Sequence, residues 1–240
     1  MEAIILAGGL GTRLRGILPD LPKPMAPIDG RPFLEHQIDY WVKQGVERFI
    51  LSVGYMSECI KAHFGNIYKG SEIAYAEEIT PLGTGGGLLF ALEKLQGSGP
   101  CLVLNGDTFF EVVLKDLIDF HCSSKSILSV ALFEVSANDR YMGVQIRDNG
   151  EIVSFKSEPG ARQLANGGVY LIDKKKFIRL PWCAGDKLSL EDDLFAYLLE
   201  SKLKPYGMVF SGSFIDIGVP SDYFRANELI GVNKEKHELR

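Results

Sequence analysis

The chain reads Leu6-Ala7-Gly8-Gly9-Leu10-Gly11-Thr12-Arg13-Leu14 directly after the apolar run Ala3-Ile4-Ile5. A short apolar run that leads into a glycine-rich turn predicts a buried strand followed by a loop. Glycines let the backbone of such a loop approach a phosphate closely, and Arg13 adds a fork of donors for phosphate oxygens. The stretch therefore predicts a phosphate-binding loop, and a plain glycine turn beside a solvated arginine is the competing interpretation.

The spacing of these glycines excludes two common phosphate-binding motifs. A dinucleotide-binding fingerprint needs a third glycine where the chain has Leu14. A P-loop needs a lysine directly after Gly16, and the chain has Ile17 there. A phosphate cradle of another kind is therefore expected.

The first half of the chain alternates short apolar runs with amphipathic segments, as strand–helix–strand units do. Helices are predicted over 32–44, 57–64 and 87–95, and further strands over 49–53, 72–77 and 101–104. This pattern predicts an α/β fold, with a Rossmann-like, mostly parallel sheet and helices on both faces.

The second half departs from that rhythm and predicts a small mixed β region. Strands are expected over 126–134, 143–147, 152–155 and 167–172, and helices over 190–203 and 221–229. No linker or internal repeat interrupts the chain, so we predict a single domain over 1–240, in which 231–240 is a frayed polar tail.

The composition is that of an ordinary globular protein, with 240 residues, 46% hydrophobic and 24% charged. Lys and Arg number 26 against 31 Asp and Glu, which lacks the basic surplus of a nucleic-acid or anionic-membrane binder. Neither the four cysteines nor the four histidines have the spacing of metal ligands. The N-terminus lacks the pattern of a signal peptide and no run is long enough to span a membrane, so a cytoplasmic location is predicted.

A second candidate phosphate ligand is Lys23 in Pro22-Lys23-Pro24-Met25. A proline on each side restricts the backbone, so the ammonium is expected to be pre-positioned. A solvated loop lysine is the alternative interpretation.

The glycine loop, the Pro-Lys-Pro-Met segment and the amphipathic helix after them resemble the sugar-1-phosphate nucleotidylyltransferases. Two later segments resemble the same family, Leu104-Asn105-Gly106-Asp107 and Phe214-Ile215-Asp216-Ile217-Gly218-Val219-Pro220. An acid at the carboxyl end of a strand also lies where open α/β sheets bind ligands, which supports Asp107. A turn or capping aspartate is the alternative interpretation for each of the two residues. The resemblance implies that Asp107 and Asp216 hold a catalytic Mg²⁺.

The resemblance implies nucleotidyl transfer from a nucleoside triphosphate to a sugar 1-phosphate, with release of pyrophosphate. In this reaction Arg13 is expected to bind the β- and γ-phosphates, and Lys23 the α- or sugar phosphate. The expected nucleotide-binding residues are Leu6, Ala7, Gly8, Gly9, Gly11, Thr12, Glu77, Glu78, Pro81, Gly83 and Thr84.

The segment Pro81-Leu82-Gly83-Thr84-Gly85-Gly86 is similar to the one that meets the base in the guanylyl branches of the family. An acidic or amide side chain just before this segment contacts the base in those branches. A carboxylate can accept two hydrogen bonds from guanine, and uracil and thymine cannot match them. Either Glu77 or Glu78 fits this role by spacing.

The expected sugar-phosphate ligands lie in the second half of the chain: Gly143, Lys156, Glu158, Asn166 and Glu191. The family pattern Phe-x-Glu-Lys-Pro stands here as Phe155-Lys156-Ser157-Glu158-Pro159. Lys156 and Glu158 take the places of the family's lysine and glutamate only if the loop shifts by one residue, which strand alternation opposes.

The run from Arg15 to Pro27 most resembles the branch that uses GTP and D-glycero-α-D-manno-heptose 1-phosphate. Mannose 1-phosphate with GTP, or another sugar phosphate with UTP, are the alternative substrates, and a catalytically inactive ligand-sensing subunit is the alternative from another class. By this resemblance, residues 1–125 mainly bind the nucleotide and 126–230 the sugar. A homo-oligomer is compatible with the sequence.

Overall fold

The computed structural model describes residues 1–9, 11, 13–14, 16–135, 141, 143–156, 163–201 and 203–231. Its strands are β1 Glu2–Leu6, β2 Pro27–Ile28, β3 Arg31–Pro32, β4 Arg48–Val53, β5 Ile67–Tyr68, β6 Ser71–Glu77, β7 Pro100–Asn105, β8 Thr108–Phe110, β9 Leu128–Glu134, β10 Gly143–Ile146, β11 Ile152–Ser154, β12 Leu164–Asp173, β13 Tyr206–Val209 and β14 Phe214–Asp216. Its helices are α1 Phe33–Lys43, α2 Ser57–Phe64, α3 Gly83–Leu92, α4 Leu114–Ser124, α5 Lys174–Phe177, α6 Ala196–Glu200 and α7 Pro220–Gly231. A 3₁₀ turn covers Lys23–Met25, and a π-helical segment covers Leu190–Phe195.

The main sheet has the strand order β11-β10-β12-β7-β1-β4-β6-β5. Strands β7, β1, β4 and β6 run parallel, and β12 is antiparallel to β7. Tyr170 of β12 pairs with Val103 of β7 and also with Val130 of β9, so β9 and then β13 continue the sheet on the other edge of β12. The predicted mostly parallel sheet with an added mixed region is confirmed.

Helices cover both faces of this sheet because successive strand residues point to opposite sides. Ile4 of β1 belongs to a buried cluster with Leu88 and Leu92 of α3. Ile5 belongs to a second cluster, with Ile38 of α1 and Ile60 of α2. A third, smaller cluster joins the loop after β1 to β14 and α7 through Leu14, Ile217 and Ala226.

Several elements differ from the sequence-based expectation. Helix α3 begins at Gly83 rather than 87, because the carbonyl of Leu188 accepts the N–H groups of Gly85 and Gly86 and completes the helix start. The helix predicted over 190–203 begins as the π-helical segment and ends at Glu200.

Helix α4 and strands β8, β13 and β14 were not predicted. Val113 precedes α4 and gives no side-chain capping bond, so the usual start signal is missing. The three strands have only three or four residues each, which is too short for a periodic pattern. Within the described residues, no helix is both long and apolar enough to cross a membrane.

The topology determines where a ligand can bind. The carboxyl ends of β7, β1, β4 and β6 lie at one edge of the sheet, since these strands are parallel neighbours. In open α/β sheets, the crevice outside these ends is the usual ligand site.

Candidate active site

A cavity of about 400 Å³ lies at the carboxyl ends of these four strands. The loop after β1, the end of β4, the residue after β6, the turn after β7 and the first turns of α3 form its walls. The predicted site residues that line it are Leu6, Ala7, Gly8, Gly9, Gly11, Lys23, Glu78, Pro81, Gly83, Thr84, Asp107 and Glu191.

Other predicted site residues lie away from these walls. The residues of this kind within the described part are Arg13, Glu77, Gly143, Lys156, Asn166 and Asp216. Arg13 is exposed on the loop after β1, and Asp216 is linked to the cavity through Lys23. Thr12 and Glu158 lie outside the described residues.

Lys23 is held where the glycine loop and two aspartates meet. Its Nζ donates to Oδ2 of Asp107 at 2.5 Å and lies 3.9 Å from Oδ1 of Asp216. Pro22 precedes the 3₁₀ turn that carries this side chain, and only 14% of the side chain is exposed. Gly11 has φ +58°, and a Cβ there would lie 3.1 Å from the Cβ of Lys23. The lysine is therefore packed against the loop and directed at the acids.

Short strands bring the two aspartates together. Asp107 follows β7, and Asp216 ends β14, which pairs antiparallel with β8 so that Asp216 lies opposite Thr108. The N–H of Ile217 donates to the carbonyl of Asp107 at 2.9 Å, and the N–H of Gly218 donates to Oδ1 of Asp216 at 2.6 Å. Residues far apart in the sequence therefore present their carboxylates to one ammonium.

This pair of carboxylates is a donor set that fits Mg²⁺. Magnesium is usually bound by one or two carboxylates, with phosphate oxygens and water as the other ligands. The described residues contain no group of three or more His, Cys, Asp or Glu side chains arranged to hold a metal. A cation at this pair would take its remaining ligands from a bound phosphate or from water.

Glu78 and Glu77 point in different directions, as neighbours in an extended chain do. At the cavity, Oε1 of Glu78 accepts from Oγ of Ser52 at 3.0 Å, and Oε2 accepts from the N–H of Leu82 at 2.9 Å. The pKa of Glu77 is lowered by its hydrogen bond with Ser57 and by its bonds with Lys61, on the surface. The carboxylate available to a cavity ligand is therefore that of Glu78.

Close packing explains the glycines in the segment before α3. A Cβ on Gly83, which has φ +78°, would lie 2.6 Å from the carbonyl oxygen of Leu188. Oγ1 of Thr84 donates to Oε2 of Glu191 at 2.9 Å and accepts from the N–H of Leu190 at 2.8 Å. The glycines let the two segments approach each other, and this contact brings Glu191 to the cavity.

Asn166 lies on β12 at a bulge next to the site. Its Nδ2 donates to the hydroxyl of Tyr170 at 2.8 Å, and its Oδ1 accepts from the N–H of Gly168 at 3.0 Å. Burial raises the pKa of Tyr170 well above its ordinary value, so the hydroxyl stays protonated. Gly143 pairs with Ala165 on the same stretch of β12, so both predicted sugar contacts share one region.

Three residues of the site were not predicted from the sequence: Ser52, Asn105 and Gly87. Ser52 is buried in the otherwise apolar β4 and orients Glu78, and Asn105 lines the cavity at the end of β7. A Cβ on Gly87 would lie 2.6 Å from Oε1 of Glu78, so this glycine leaves room for the carboxylate. A polar residue inside an apolar strand was the available signal for Ser52.

A glycine loop and an aspartate at the strand ends of a parallel sheet, with a lysine that links this aspartate to a second one, form the architecture of a nucleotidyltransferase. The model of the family described as "Nucleotidyl transferase" matches residues 2–232. The chain belongs to this family, as its motifs predicted.

Two relatives match the chain over nearly its full length. It is 43% identical over 232 residues to the D-glycero-alpha-D-manno-heptose 1-phosphate guanylyltransferase of Aneurinibacillus thermoaerophilus, covering 95% of this chain and 97% of the relative. It is 41% identical over 227 residues to the protein of the same name from Campylobacter jejuni, covering 93% and 97%.

Solved structures show the same fold. HddC from Yersinia pseudotuberculosis superposes with a TM-score of 0.81 and 35% identity, covering 95% of this chain and 98% of HddC. A second structure of HddC, complexed with GMP-PN, gives a TM-score of 0.79.

Proposed function

We propose that the protein is a Mg²⁺-dependent enzyme that transfers the guanylyl group of GTP to D-glycero-α-D-manno-heptose 1-phosphate, which yields GDP-heptose and pyrophosphate. One observation carries the proposal: Lys23 contacts Asp107 and Asp216 beside a glycine loop at the strand ends. The 43% identity to a guanylyltransferase of this specificity supports the choice of substrates.

The carboxylate of Glu78 supports guanine as the base. Ser52 and the N–H of Leu82 each donate to a different oxygen of this carboxylate and so fix its plane. Each oxygen keeps a further lone pair, which can accept from N1–H and the exocyclic amine of guanine. Uracil and thymine do not offer this pair of adjacent donors, so they cannot use both remaining lone pairs of the carboxylate.

The protein contributes to this reaction by orienting the substrates and stabilising charge, because no residue needs to act as a nucleophile. An oxygen of the sugar phosphate attacks the α-phosphorus in line, and pyrophosphate leaves from the opposite side. Lys23 stabilises negative charge on the α- or sugar phosphate, and Arg13 binds the leaving pyrophosphate. Asp107 and Asp216 would hold Mg²⁺, which when bound supplies positive charge to the phosphate oxygens.

The sugar phosphate is proposed to lie on the β12 side of the cavity. Glu191 reaches the cavity through its bond with Thr84, and Asn166 lies on the bulge of β12. Gly143, which pairs with Ala165 of β12, and Lys156, which follows β11, complete the proposed set.

The proposal is tested by measuring pyrophosphate release in the presence of Mg²⁺. GTP, UTP, ATP, CTP and dTTP are each combined with heptose, mannose, glucose and N-acetylhexosamine 1-phosphates, and a reaction without protein is the background control. Turnover with GTP and heptose 1-phosphate alone is the expected result. Turnover with another pair would refute the substrates, and folded wild-type protein that binds a nucleotide but never turns over would favour a ligand-sensing subunit.

A further inference from the structure

Gln37 is a buried side chain of α1 that contacts both ends of the turn after β7. Its Nε2 donates to the carbonyl of Asn105 at 2.8 Å and also to the carbonyl of Thr108. Asp107 lies between these two residues, and only 2% of Gln37 is exposed. One amide group therefore fixes the distance between the two ends of the turn that presents Asp107.

Backbone contacts hold the middle of the same turn. The N–H of Gly106 donates to the carbonyl of Leu6 at 3.0 Å, and the carbonyl of Asp107 accepts from Ile217. A Cβ on Gly106 would lie 2.6 Å from the oxygen of Leu6, so the turn is pressed against β1. Gln37 adds a side-chain clamp, that is, one amide group bonded to the carbonyls of both Asn105 and Thr108.

A second glutamine with similar chemistry, Gln44, caps the carboxyl end of helix α1. Nε2 of Gln44 donates to the carbonyl of Val112 at 3.0 Å, and its Oε1 accepts from the N–H of Leu114 at 2.7 Å. Gln44 directly follows the last residue of α1, seven positions after Gln37. Gln44 fastens the chain after β8, away from the aspartate, and is therefore a matched control.

Three buried side-chain oxygens lie around the turn. Oε1 of Gln37, Oδ1 of Asn105 and Oγ1 of Thr108 are buried and have no hydrogen-bond partner within the described part of the chain. Unsatisfied buried oxygens cost stability, and by contrast both ends of the Gln44 amide are used.

We propose that Gln37 is a positioning residue, which holds the carboxylate of Asp107 in the place where it meets Lys23 and a divalent cation. The inference rests on the proposed function, because it assumes that Asp107 binds the metal. Residues that orient a ligand through hydrogen bonds set metal affinity without touching the metal. Without the clamp, the turn keeps its backbone contacts to β1 and β14 but loses the fixed spacing of its ends.

Isothermal calorimetry of Mn²⁺ binding in the presence of GTP, without sugar phosphate, tests this directly. Wild type is compared with Gln37→Met and Gln44→Met, which remove the amides and keep similar side-chain volume. The Gln37→Met variant is expected to bind Mn²⁺ roughly tenfold more weakly, as loss of an orienting partner typically does. The Gln44→Met variant is expected to stay within about twofold of wild type, since it leaves this orienting contact intact.

Three results would overturn the inference. Unchanged Mn²⁺ affinity in Gln37→Met would show that Asp107 needs no clamp, and an equal loss in both variants would show only general loosening. Wild type that binds GTP but no Mn²⁺ would refute the metal role in the proposed function, and the inference with it. The first two results leave the proposed function intact.

A measurement on wild type decides the matter if Gln37→Met does not fold. The side-chain amide protons of Gln37, assigned by NMR, are expected to exchange slowly and to shift when Mg²⁺ and GTP are added. Those of Gln44 are expected to keep their positions. A Gln37 amide that does not respond would overturn the inference.

Discussion

The ammonium of Lys23 lies 2.5 Å from a carboxylate oxygen of Asp107, although 84 positions separate the two residues in the sequence. The same ammonium is 3.9 Å from Asp216, so one positive charge offsets two negative ones. Two carboxylates this close repel each other, and a partly buried site screens that repulsion less than water does. Lys23 therefore reduces the electrostatic repulsion between the two carboxylates of the proposed metal site in the folded protein.

Replacing either aspartate by asparagine is expected to reduce turnover at least ~10²-fold, or about 3 kcal/mol of transition-state stabilisation. The side-chain size is kept and the charge is lost, so folding should persist. Rates of pyrophosphate release for Asp107→Asn and Asp216→Asn are compared with Asp119→Asn, a surface control paired with Lys115. Near-wild-type turnover in either of the first two variants would remove that residue from the metal site.

Lys23→Met is expected to lower activity while the protein stays folded. Removing the ammonium leaves Asp107 and Asp216 without their shared counter-charge, so Mg²⁺ should stabilise the variant more than wild type. Thermal unfolding with and without Mg²⁺ measures this difference in Tm shift. An unfolded variant would instead mean that the lysine and its flanking prolines mainly serve the structure.

Glu78→Gln is expected to reduce the preference for GTP over UTP about 10²-fold, because a neutral amide accepts less well from the two guanine donors. Glu77→Gln is the control, since Glu77 pairs with Ser57 and Lys61 on the surface. The ratio of kcat/KM values for GTP and UTP is the measurement. A preference lost equally in both variants would contradict a direct role for Glu78.

Gly83→Ala is expected to destabilise the protein by about 2 kcal/mol or more, because the new Cβ needs φ +78° and would lie 2.6 Å from a backbone oxygen. Gly99→Ala is the matched control, since a Cβ there meets nothing within 4 Å. Urea unfolding of the two variants gives the comparison. Equal stabilities would argue that the segment around Leu188 moves freely.

The stability of the protein is expected to depend on His121 below neutral pH. This side chain lies between α4 and β9 with Nδ1 2.8 Å from Oγ of Ser129, and burial lowers its pKa to about 4. In the unfolded chain this histidine has its ordinary pKa of about 6.5 and binds the proton more readily than in the folded protein. Its contribution to the free energy of unfolding is therefore fully present above that pH and is lost as the pH falls toward 4. Between pH 7 and pH 5 the loss should be about 2 kcal/mol.

Urea unfolding of wild type and His121→Asn at both pH values isolates this contribution. Carboxylates titrate in both proteins, so their effect on the free energy of unfolding cancels when the two are compared. The variant should lose less stability than wild type between the two pH values, and identical losses would contradict the prediction.

The sequence predicted the parallel half of the fold because buried strands and amphipathic helices each leave a periodic pattern. It also indicated both aspartates, because each lies in a motif that resembles the family's, and Asp107 in addition follows a strand that the apolar pattern predicts. It could not choose between Glu77 and Glu78, because spacing does not report which way a strand-end residue points. Ser52 and Gln37 escaped notice for a related reason, as their partners lie in distant segments and only the tertiary fold brings them into contact.

The bond between Thr84 and Glu191 joins residues that are 107 positions apart. It ties the first turn of α3, in the half of the chain expected to bind the nucleotide, to the segment before α6, in the half expected to bind the sugar. A chimaera spliced near residue 125 with a relative of different sugar preference would have to inherit both partners of this bond. A substitution that removes either side chain therefore breaks a contact that joins the two halves of the chain.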